Sequence, residues 1–296
     1  MKNTYHDLIQ QSYYFPQDGF DLQNGYLTFH GVSLKYLIEK YGTPFRLMYL
    51  PSIGEKIRKA KNLFQRAMRR HRYSGNYHYC YCTKCCHFYH VINTALREGV
   101  HIETSSSFDI DLIRKLAAEG KVNKSHIFVH NGYKTEGYID KMIALQRDGF
   151  KNAIIVLDST HELDRIIRRA DGFRVKIGIR MAIDEEPQAS YYTSRLGIRA
   201  SEVLSFFREK IRDNPAVQLK MFHFFVDSGI RDTLYYWDQF HQALAMYATI
   251  KKESADLKAF NLGGGFPIRN NLGFSFDYEG MIDQIVDRVK RACTED

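Results

Sequence analysis

Short runs of apolar, β-branched and aromatic residues alternate with longer amphipathic runs from residue 77 onward. Short apolar runs of this kind are typical of buried strands, and the amphipathic runs between them are typical of helices. Regular alternation of the two predicts a parallel sheet with crossover helices. The predicted strands are Tyr77 to Cys82, His101 to Thr104, Ile127 to His130, Ala153 to Leu157, Val175 to Arg180, Leu219 to Phe225 and Lys258 to Leu262.

The ends of several predicted helices are marked in the sequence. Ser159 with Glu162 predicts a capping box after the fourth strand, and Ser106 with Asp109 predicts a cap after the second. Glycine, which tolerates the left-handed backbone conformation, stands where three helices should stop. These are Gly99, Gly120 and Gly149.

Seven successive strand and helix units predict an α/β fold, a TIM-type (β/α)8 barrel that lacks its last strand. A doubly wound open sheet is the competing architecture. That sheet usually carries a glycine-rich turn after its first strand, whereas the turn here is TKCCH. We therefore predict a barrel over residues 45–296 that is incomplete at its C-terminus.

Residues 1–44 have a different pattern, with aromatic residues dispersed among turn formers. This segment is predicted to be an irregular or β-rich arm that would join a β domain. Another β-type run, Phe45 to Leu50, follows it. Ser52 with Glu55 then predicts a capping box that opens a helix to about Arg70.

Composition narrows the class of protein. Among 296 residues, 44% are hydrophobic, yet no uninterrupted apolar stretch has the length of a membrane span or the character of a signal peptide, so we expect a cytoplasmic protein. Five cysteines are an odd number, and four lie between Cys80 and Cys86, which favours reduced thiols.

A net charge of +8 is compatible with a protein that binds nucleic acid. A basic cluster at residues 66–72 ends a predicted helix, where cations complement the helix dipole, and it lacks interleaved aromatic residues. We expect no nucleic-acid partner and no membrane partner.

Lys84 follows the first predicted strand of the barrel directly. The carboxyl ends of barrel strands are where active sites form, and a lysine there can make a Schiff base with an aldehyde cofactor if burial leaves its amine neutral. The alternative is a solvated lysine in a loop.

Other polar and glycine residues follow later strands. Gly263, Gly264 and Gly265 could place backbone N–H groups around a phosphate, or they could form only a tight turn. In the segment HFFVDSG, alternation puts His223 and Phe225 on one face of the strand. Phe225 could lie flat on an aromatic ring or pack in the core, and Ser228 could donate to a phosphate.

Two charged residues end neighbouring strands. Arg180 ends the fifth strand and, if buried, needs a carboxylate or an anion; the alternative is a rim arginine paired with Asp184 or Glu185. Glu103 lies at the end of the second strand. The cysteines and histidine of residues 80–87 could bind zinc, but their spacing is poor and no second cysteine pair follows, so no metal site is expected.

Seven segments in order resemble the pyridoxal-phosphate-dependent basic amino-acid decarboxylases, which have an alanine-racemase-like barrel. They are YHYCYCTKCCHF, HIETSSSFD, VHNGYK, VKIGIR, TSRLGI, KMFHFFVDSG and NLGGGFPI. The resemblance covers about residues 40 to 290 and is closest to the arginine decarboxylase branch.

The resemblance implies a role for most of the candidate residues. Lys84 matches the lysine that binds pyridoxal 5'-phosphate, and Gly263, Gly264 and Gly265 match the phosphate-binding glycines. Arg180 and Glu103 match residues beside the cofactor ring. Ser228 matches the serine of an H-x-G-S motif.

This sequence departs from the family at two positions. The histidine that stacks on the cofactor ring aligns with Phe225 and not with His223, and the glycine two residues after that histidine aligns with Asp227. Phenylalanine can stack on the ring but cannot exchange protons.

The resemblance implies decarboxylation of arginine to agmatine for polyamine synthesis by a homodimer. Alternatives are diaminopimelate, ornithine or carboxynorspermidine decarboxylation, or a non-catalytic barrel that binds the cofactor or regulates. Family members continue with an eighth strand and a C-terminal β domain, so this chain resembles an N-terminal fragment and is expected to have little activity by itself.

Overall fold

A curled parallel sheet organises the molecule, which the computed structural model describes over residues 19–183, 196–226, 230, 233–269 and 274–293. Seven of its strands are hydrogen-bonded to one another in the order in which they follow along the chain. The strands are β1 (Phe20–Gln23), β2 (Tyr26–Phe29), β3 (Val32–Ser33), β4 (Cys80–Cys82), β5 (His101–Thr104), β6 (Phe128–His130), β7 (Ala153–Leu157), β8 (Val175–Ala182), β9 (Ile198–Arg199), β10 (Val217–Phe224) and β11 (Ala259–Asn261).

The parallel sheet runs from β4 at one edge through β5, β6, β7, β8 and β10 to β11 at the other, and the short strand β9 pairs with β8. Helices connect the strands. They are α1 (Leu34–Tyr41), α2 (Pro51–Arg70), α3 (Tyr89–Arg97), α4 (Ser107–Ala118), α5 (Glu136–Arg147), α6 (His161–Ala170), α7 (Ala200–Phe206), α8 (Thr233–Glu253) and α9 (Tyr278–Ala292), with a π-helical turn (Phe207–Ile211) extending α7.

The core lies between the sheet and the helices around it. All five residues of β7 are buried, as expected for a parallel strand that is covered on both faces. Ile155, Ile177 and Phe222 from three strands pack in one cluster with Ile139 and Phe240 from the helices. Burial of such apolar side chains is the main favourable term in folding.

Helices α2 and α9 lie side by side on the outside of the sheet. The Arg66 Nη2 atom lies 2.7 Å from the Glu279 carboxylate, and the Arg70 Nη1 atom lies 2.6 Å from Asp283. His71 at the end of α2 also faces Asp283, at 3.1 Å. The basic cluster predicted to end a helix therefore contacts acidic side chains of another helix.

The N-terminal segment forms a small separate sheet. Strands β1, β2 and β3 pair antiparallel in sequence order, and α1 follows with Ser33 as its N-cap. The sequence predicted a β-rich or irregular arm here and missed α1. Residues 1–18 lie outside the described part, and the role of the arm in joining a β domain stays a prediction.

The predicted barrel lacking its last strand is confirmed as a curled parallel sheet of seven strands with surrounding helices. Each predicted strand exists, and His101–Thr104 and Ala153–Leu157 have the predicted bounds. The Ser106 capping box is present, and Gly99, Gly120 and Gly149 have φ values of +65°, +70° and +90°. Within the described residues, no helix is both long and apolar enough to cross a membrane.

Three predictions about local structure are wrong, namely one strand and two capping boxes. The run Phe45 to Leu50 forms no strand. Helix α2 ends at Arg70 as predicted, but it begins at Pro51 without a side-chain cap, so the Ser52 capping box is absent.

Helix α6 also begins without the predicted side-chain cap, with Thr160 as its N-cap. The Glu162 carboxylate, which was expected to complete a capping box with Ser159, instead accepts from the Asp158 N–H at 2.9 Å. It also accepts from the Lys134 ammonium. A contact from another element has replaced the local cap.

Candidate functional site

Lys84 lies in a tight turn that follows β4 at the carboxyl edge of the sheet. The Cys85 N–H donates to the Cys82 carbonyl at 3.2 Å, which closes the turn. Both the N–H and the hydroxyl of Thr83 donate to the Glu103 carbonyl, at 2.9 and 3.2 Å. The turn is therefore hydrogen-bonded to the end of β5 while Lys84 itself is exposed.

The Lys84 amine packs on an aromatic face. Its Nζ atom lies 4.8 Å from the centroid of the Phe225 ring, just beyond β10. The guanidinium carbon of Arg180 lies 5.8 Å from the same centroid. Cations are attracted to the negative face of an aromatic ring at such distances. The sheet has curled far enough that the end of β4 meets the end of β10, although five strand pairings separate them.

Gly263, which follows β11, lies against Phe225, which follows the neighbouring strand β10. A Cβ atom added at Gly263 would lie 2.7 Å from Phe225 Cδ2 and 2.8 Å from the Phe224 carbonyl oxygen, and φ there is +67°. Only glycine fits this approach without strain. The Asn261 side-chain oxygen accepts from the Gly263 N–H at 2.8 Å and shapes the turn.

The rest of the glycine turn is open. A Cβ atom added at Gly264 would meet nothing within 4 Å. Gly265 has a φ of +84°, and its carbonyl accepts from the Ile230 N–H at 2.9 Å. The turn thus presents bare backbone beside Phe225, and its role in binding a phosphate stays a prediction.

Buried ions lie beside Arg180. Its Nη1 atom is 3.5 Å from Asp158 Oδ1. The Lys134 ammonium lies 3.7 Å from the other Asp158 oxygen and 3.1 Å from Glu162. Lys134 is 0% exposed and Arg180 5% exposed. Asp158 is therefore one carboxylate partner of the buried arginine, and the suggested partners Asp184 and Glu185 lie outside the described residues.

Burial raises the pKa of the Glu162 carboxyl above its usual value, while the Lys134 charge acts in the opposite direction. Lys134 is the common neighbour of both carboxylates in this group. Removing that cation would leave two carboxylates close together in a place from which water is excluded.

A row of hydrogen-bonded side chains lies near the buried ions. The Asn131 amide nitrogen is 3.2 Å from a Glu103 carboxylate oxygen and 3.0 Å from His223 Nε2. Burial, with Arg180 nearby, lowers the pKa of His223 to about 3. His223 is therefore neutral at ordinary pH and accepts from Asn131. Strand register places His223 beside Arg180 on one side and Asn261 on the other.

The structure brings most of the predicted site residues together. The Lys84 Nζ atom lies 4.8 Å and the Arg180 guanidinium carbon 5.8 Å from the centroid of the Phe225 ring, and Gly263 packs against that ring. Glu103 lies beside this group because its carbonyl accepts a hydrogen bond from Thr83, the residue before Lys84. His223 lies beside it because the strand register pairs His223 with Arg180. Ser228 and Asp227 lie outside the described residues, so their predicted roles are untested.

Four residues near the site were missed by sequence reasoning. Asp158 directly follows the apolar run AIIVL, and a charge at that position of a barrel strand is a usable signal. Asn131 and Lys134 lie within the segment VHNGYK, which was used for the resemblance without a role for either. Glu162 gave a misleading signal because its spacing from Ser159 matched a helix cap.

The cysteine-rich segment was the place where the sequence offered candidate zinc ligands. Among the described residues, which include all of 80–87, no group of three or more histidine, cysteine or acidic side chains is arranged to hold a metal ion. All five cysteines are free thiols.

Comparison with known proteins gives three kinds of result. The sequence model for "Pyridoxal-dependent decarboxylase, pyridoxal binding domain" matches residues 53–296. Biosynthetic arginine decarboxylase of Prochlorococcus marinus (strain MIT 9215) is 23% identical over 269 residues, which are 85% of this chain and 41% of that protein. The corresponding enzyme of Deinococcus radiodurans is 25% identical over 248 residues, 80% of this chain and 36% of the relative.

Solved structures have the same fold at low identity. Biosynthetic arginine decarboxylase from Campylobacter jejuni superposes with a TM-score of 0.66 at 19% identity, over 94% of this chain and 47% of that one. Diaminopimelate decarboxylase from M. jannaschii gives a TM-score of 0.72 at 17% identity, over 92% and 62%. The lysine decarboxylase of Selenomonas ruminantium gives 0.68 at 18%, over 88% and 62%.

The chain spans about two fifths of the length of the curated relatives it matches. The sequence resemblance is confirmed, because the family model covers most of the chain, from residue 53 to residue 296. With its curled parallel sheet and a lysine at the carboxyl edge, the chain belongs to the family of pyridoxal-dependent decarboxylases and contains their pyridoxal-binding domain.

Proposed function

We propose that Lys84 binds pyridoxal 5'-phosphate covalently and that the site serves the decarboxylation of a basic amino acid. The observation that supports this most is the placement of the Lys84 amine on the Phe225 ring, which in turn touches Gly263. An amine, a flat aromatic face and a turn of bare backbone at one edge of a sheet match the three parts of this cofactor. These parts are an aldehyde, a ring and a phosphate.

The residues present fit the cofactor. Gly263 and Gly265 have positive φ values, and the position of a Cβ at Gly264 is open, so an anion can approach the backbone closely at Gly264. The Gly263 N–H donates to Asn261 and shapes the turn instead. Lys84 and Arg180 supply positive charge beside the Phe225 ring. The network of Lys134, Asp158 and Arg180 holds the guanidinium in a fixed position.

When bound, the cofactor accepts the electrons that remain on the substrate after carbon dioxide leaves. The residues of this chain orient the reactants. The exposed Lys84 side chain can reach a ligand and withdraw from it again, because its turn is fixed to Glu103 through Thr83 and not through Lys84. Phe225 supplies a face for stacking but cannot transfer a proton.

Arginine is the proposed substrate, since both curated relatives described above and one of the solved structures are arginine decarboxylases. Its product would be agmatine, a precursor of polyamines, made in the cytoplasm by a homodimer. Lysine, diaminopimelate, ornithine and carboxynorspermidine are the alternatives, and the solved diaminopimelate and lysine decarboxylases support two of them.

A non-catalytic cofactor-binding barrel is the second candidate function. Phe225 favours it, because the residue that occupies this position in the family is a histidine and phenylalanine has no titratable proton. Both candidates require the cofactor, so cofactor binding alone does not separate them.

Release of labelled carbon dioxide separates these functions. The protein is loaded with pyridoxal phosphate and offered carboxyl-labelled arginine, lysine, ornithine or diaminopimelate in turn. Because the 296-residue chain is expected to have little activity by itself, we expect slow release that is greatest from arginine and is lost in Lys84→Ala. Faster release from another amino acid would overturn arginine as the substrate, and background release that is the same in the parent and in Lys84→Ala would favour the non-catalytic barrel.

A further inference from the structure

We infer that Cys82 and Cys85 form a redox-active dithiol that closes reversibly into a disulfide across Lys84. The partner in this chemistry is a low-molecular-weight disulfide, which supplies the oxidising equivalents. The two cysteines have no part in the proposed decarboxylation.

The turn has the geometry that such a disulfide requires. Cys82 and Cys85 are its first and last residues, and the Cys85 N–H donates to the Cys82 carbonyl at 3.2 Å. A turn closed in this way brings its first and last Cα atoms within 7 Å, and disulfides join Cα atoms about 4.4 to 6.8 Å apart. The backbone therefore needs little rearrangement for the sulfurs to bond.

The two thiols differ in reactivity. The neighbouring Cys82 thiol and the positive charge of Lys84 lower the pKa of Cys85 to about 6, against burial and the nearby Glu103 carboxylate. The neighbouring Cys85 and burial raise the pKa of Cys82, whose thiol donates to the Glu103 carboxylate at 3.8 Å. Cys85 is also the exposed member of the pair. An exposed thiolate beside a protected thiol is the arrangement found in reactive C-x-x-C pairs.

The neighbouring cysteines lack this combination. Burial raises the pKa of Cys80 to about 12, so its thiolate is scarce at any ordinary pH. Cys86 follows Cys85 directly, and its carbonyl accepts from the Tyr81 hydroxyl at 2.9 Å, which holds that part of the backbone. Cys80 and Cys86 therefore serve as matched controls.

The chemistry balances in two exchanges. The Cys85 thiolate attacks a disulfide RSSR, forming a Cys85–S–S–R bond and releasing one thiolate RS⁻. Cys82 then loses its proton to solvent and attacks the Cys85 sulfur, which releases the second RS⁻. The dithiol is oxidised by two electrons, and RSSR is reduced to two thiols.

Closure places a covalent link across the two residues Thr83 and Lys84. It therefore restrains the backbone that presents the Lys84 amine, and this consequence rests on the proposed function. The disulfide itself does not, since it needs no cofactor. Thiol measurements made without pyridoxal phosphate report on the disulfide alone.

The test uses the reduced 296-residue chain, equilibrated with defined ratios of reduced and oxidised glutathione, then alkylated and mapped by mass spectrometry. We expect a Cys82–Cys85 disulfide that dithiothreitol reverses. It should persist in Cys80→Ser and Cys86→Ser and be absent in Cys82→Ser and Cys85→Ser, with far-UV circular dichroism showing that all four variants fold. In the reduced chain at neutral pH, Cys85 should react with iodoacetamide about 10-fold faster than Cys86.

Two results would overturn the inference. One is a chain that keeps Cys82 and Cys85 as thiols at every glutathione ratio. The other is oxidation through a different pair, such as Cys85 with Cys86 or an intermolecular bond through Cys293, that persists unchanged in Cys82→Ser.

Discussion

Two lysines lie at the same edge of the sheet in opposite surroundings. Lys84, after β4, is exposed and its amine rests on the Phe225 ring. Lys134, after β6, is completely buried and lies within 4 Å of two carboxylates, those of Asp158 and Glu162. The difference shows that one edge of the sheet holds an outer layer available for ligands and an inner layer held by ion pairs.

The outer layer consists of Lys84, Phe225 and Gly263. The inner layer consists of Lys134, Asp158, Glu162, His223 and His130. His130 ends β6 and is buried, with its Nδ1 atom 2.7 Å from the Thr104 hydroxyl. A lysine with two carboxylate partners in a dry environment is fixed in position. A lysine on an exposed aromatic face gains little from its contact and can exchange that contact for a ligand. The layers should therefore respond differently to mutation, the inner one in stability and the outer one in binding.

Lys134→Met should have the largest effect on stability. It removes the cation between Asp158 and Glu162, and breaking a buried pair in this way costs roughly 3 to 5 kcal/mol. Urea unfolding of the two proteins measures the loss. Lys84→Met is the matched control and should change the free energy of unfolding by less than about 0.5 kcal/mol. Equal effects of the two substitutions would contradict the two-layer description.

Gly263→Ala should have the next largest effect and lower the free energy of unfolding by roughly 2 to 4 kcal/mol. The causes are backbone strain at positive φ and overpacking against Phe225. The added Cβ would lie 2.7 Å from Phe225 Cδ2. Gly264→Ala, whose Cβ would meet nothing within 4 Å, is the control and should be nearly neutral. Thermal unfolding of both variants checks this, and similar melting temperatures would show that the turn is not packed against Phe225.

Acid should destabilise the inner layer through its histidines. Burial lowers the pKa of His130 from 6.5 to about 3, so the folded protein keeps it neutral while the unfolded chain takes up a proton below pH 6.5. The contribution is fully present above that pH and is lost as the pH falls toward 3. Between about pH 7 and pH 5 the loss is about 2 kcal/mol for each such histidine.

Unfolding by urea at several pH values measures this slope. The variant His130→Gln should lose about 2 kcal/mol less than the parent between the two pH values. A parallel pH dependence in the two proteins would mean that His130 titrates normally in the folded state.

Loss of the contact between Lys84 and Phe225 should have the smallest effect on the free energy of unfolding. Cation–π contacts at exposed sites contribute about 0.5 to 1 kcal/mol. A double-mutant cycle with Lys84→Met and Phe225→Leu should give a coupling free energy in that range. A coupling of several kcal/mol would place Lys84 in the fixed inner layer instead.

Strands could be predicted from sequence where burial is uniform. The run Ala153 to Leu157 is apolar throughout with β-branched residues at its centre, and both of its ends were predicted correctly. Phe45 to Leu50 is also mostly apolar but has no strand partner, and Phe45, Leu47 and Met48 are all more than a third exposed. Strand propensity depends on the surface against which side chains pack, which a local pattern does not contain.

The outer layer was also partly predictable. The positions of Lys84 and Gly263 directly after strands were enough to nominate them, because barrel strands end at a common edge. The inner layer was not predictable, since Lys134 meets Asp158 and Glu162 only through the register of neighbouring strands. The wrong capping box at Ser159 has the same cause: Glu162 bonds to a residue 28 positions away.

Trapping the cofactor tests the central claim most directly. The chain is incubated with pyridoxal phosphate, reduced with borohydride, digested and mapped by mass spectrometry, with Lys134 in the same digest as the internal comparison. We predict a reduced cofactor adduct on Lys84, none on Lys134, and loss of the adduct in Lys84→Met. An adduct spread over surface lysines, or one that survives Lys84→Met at full yield, would contradict the account.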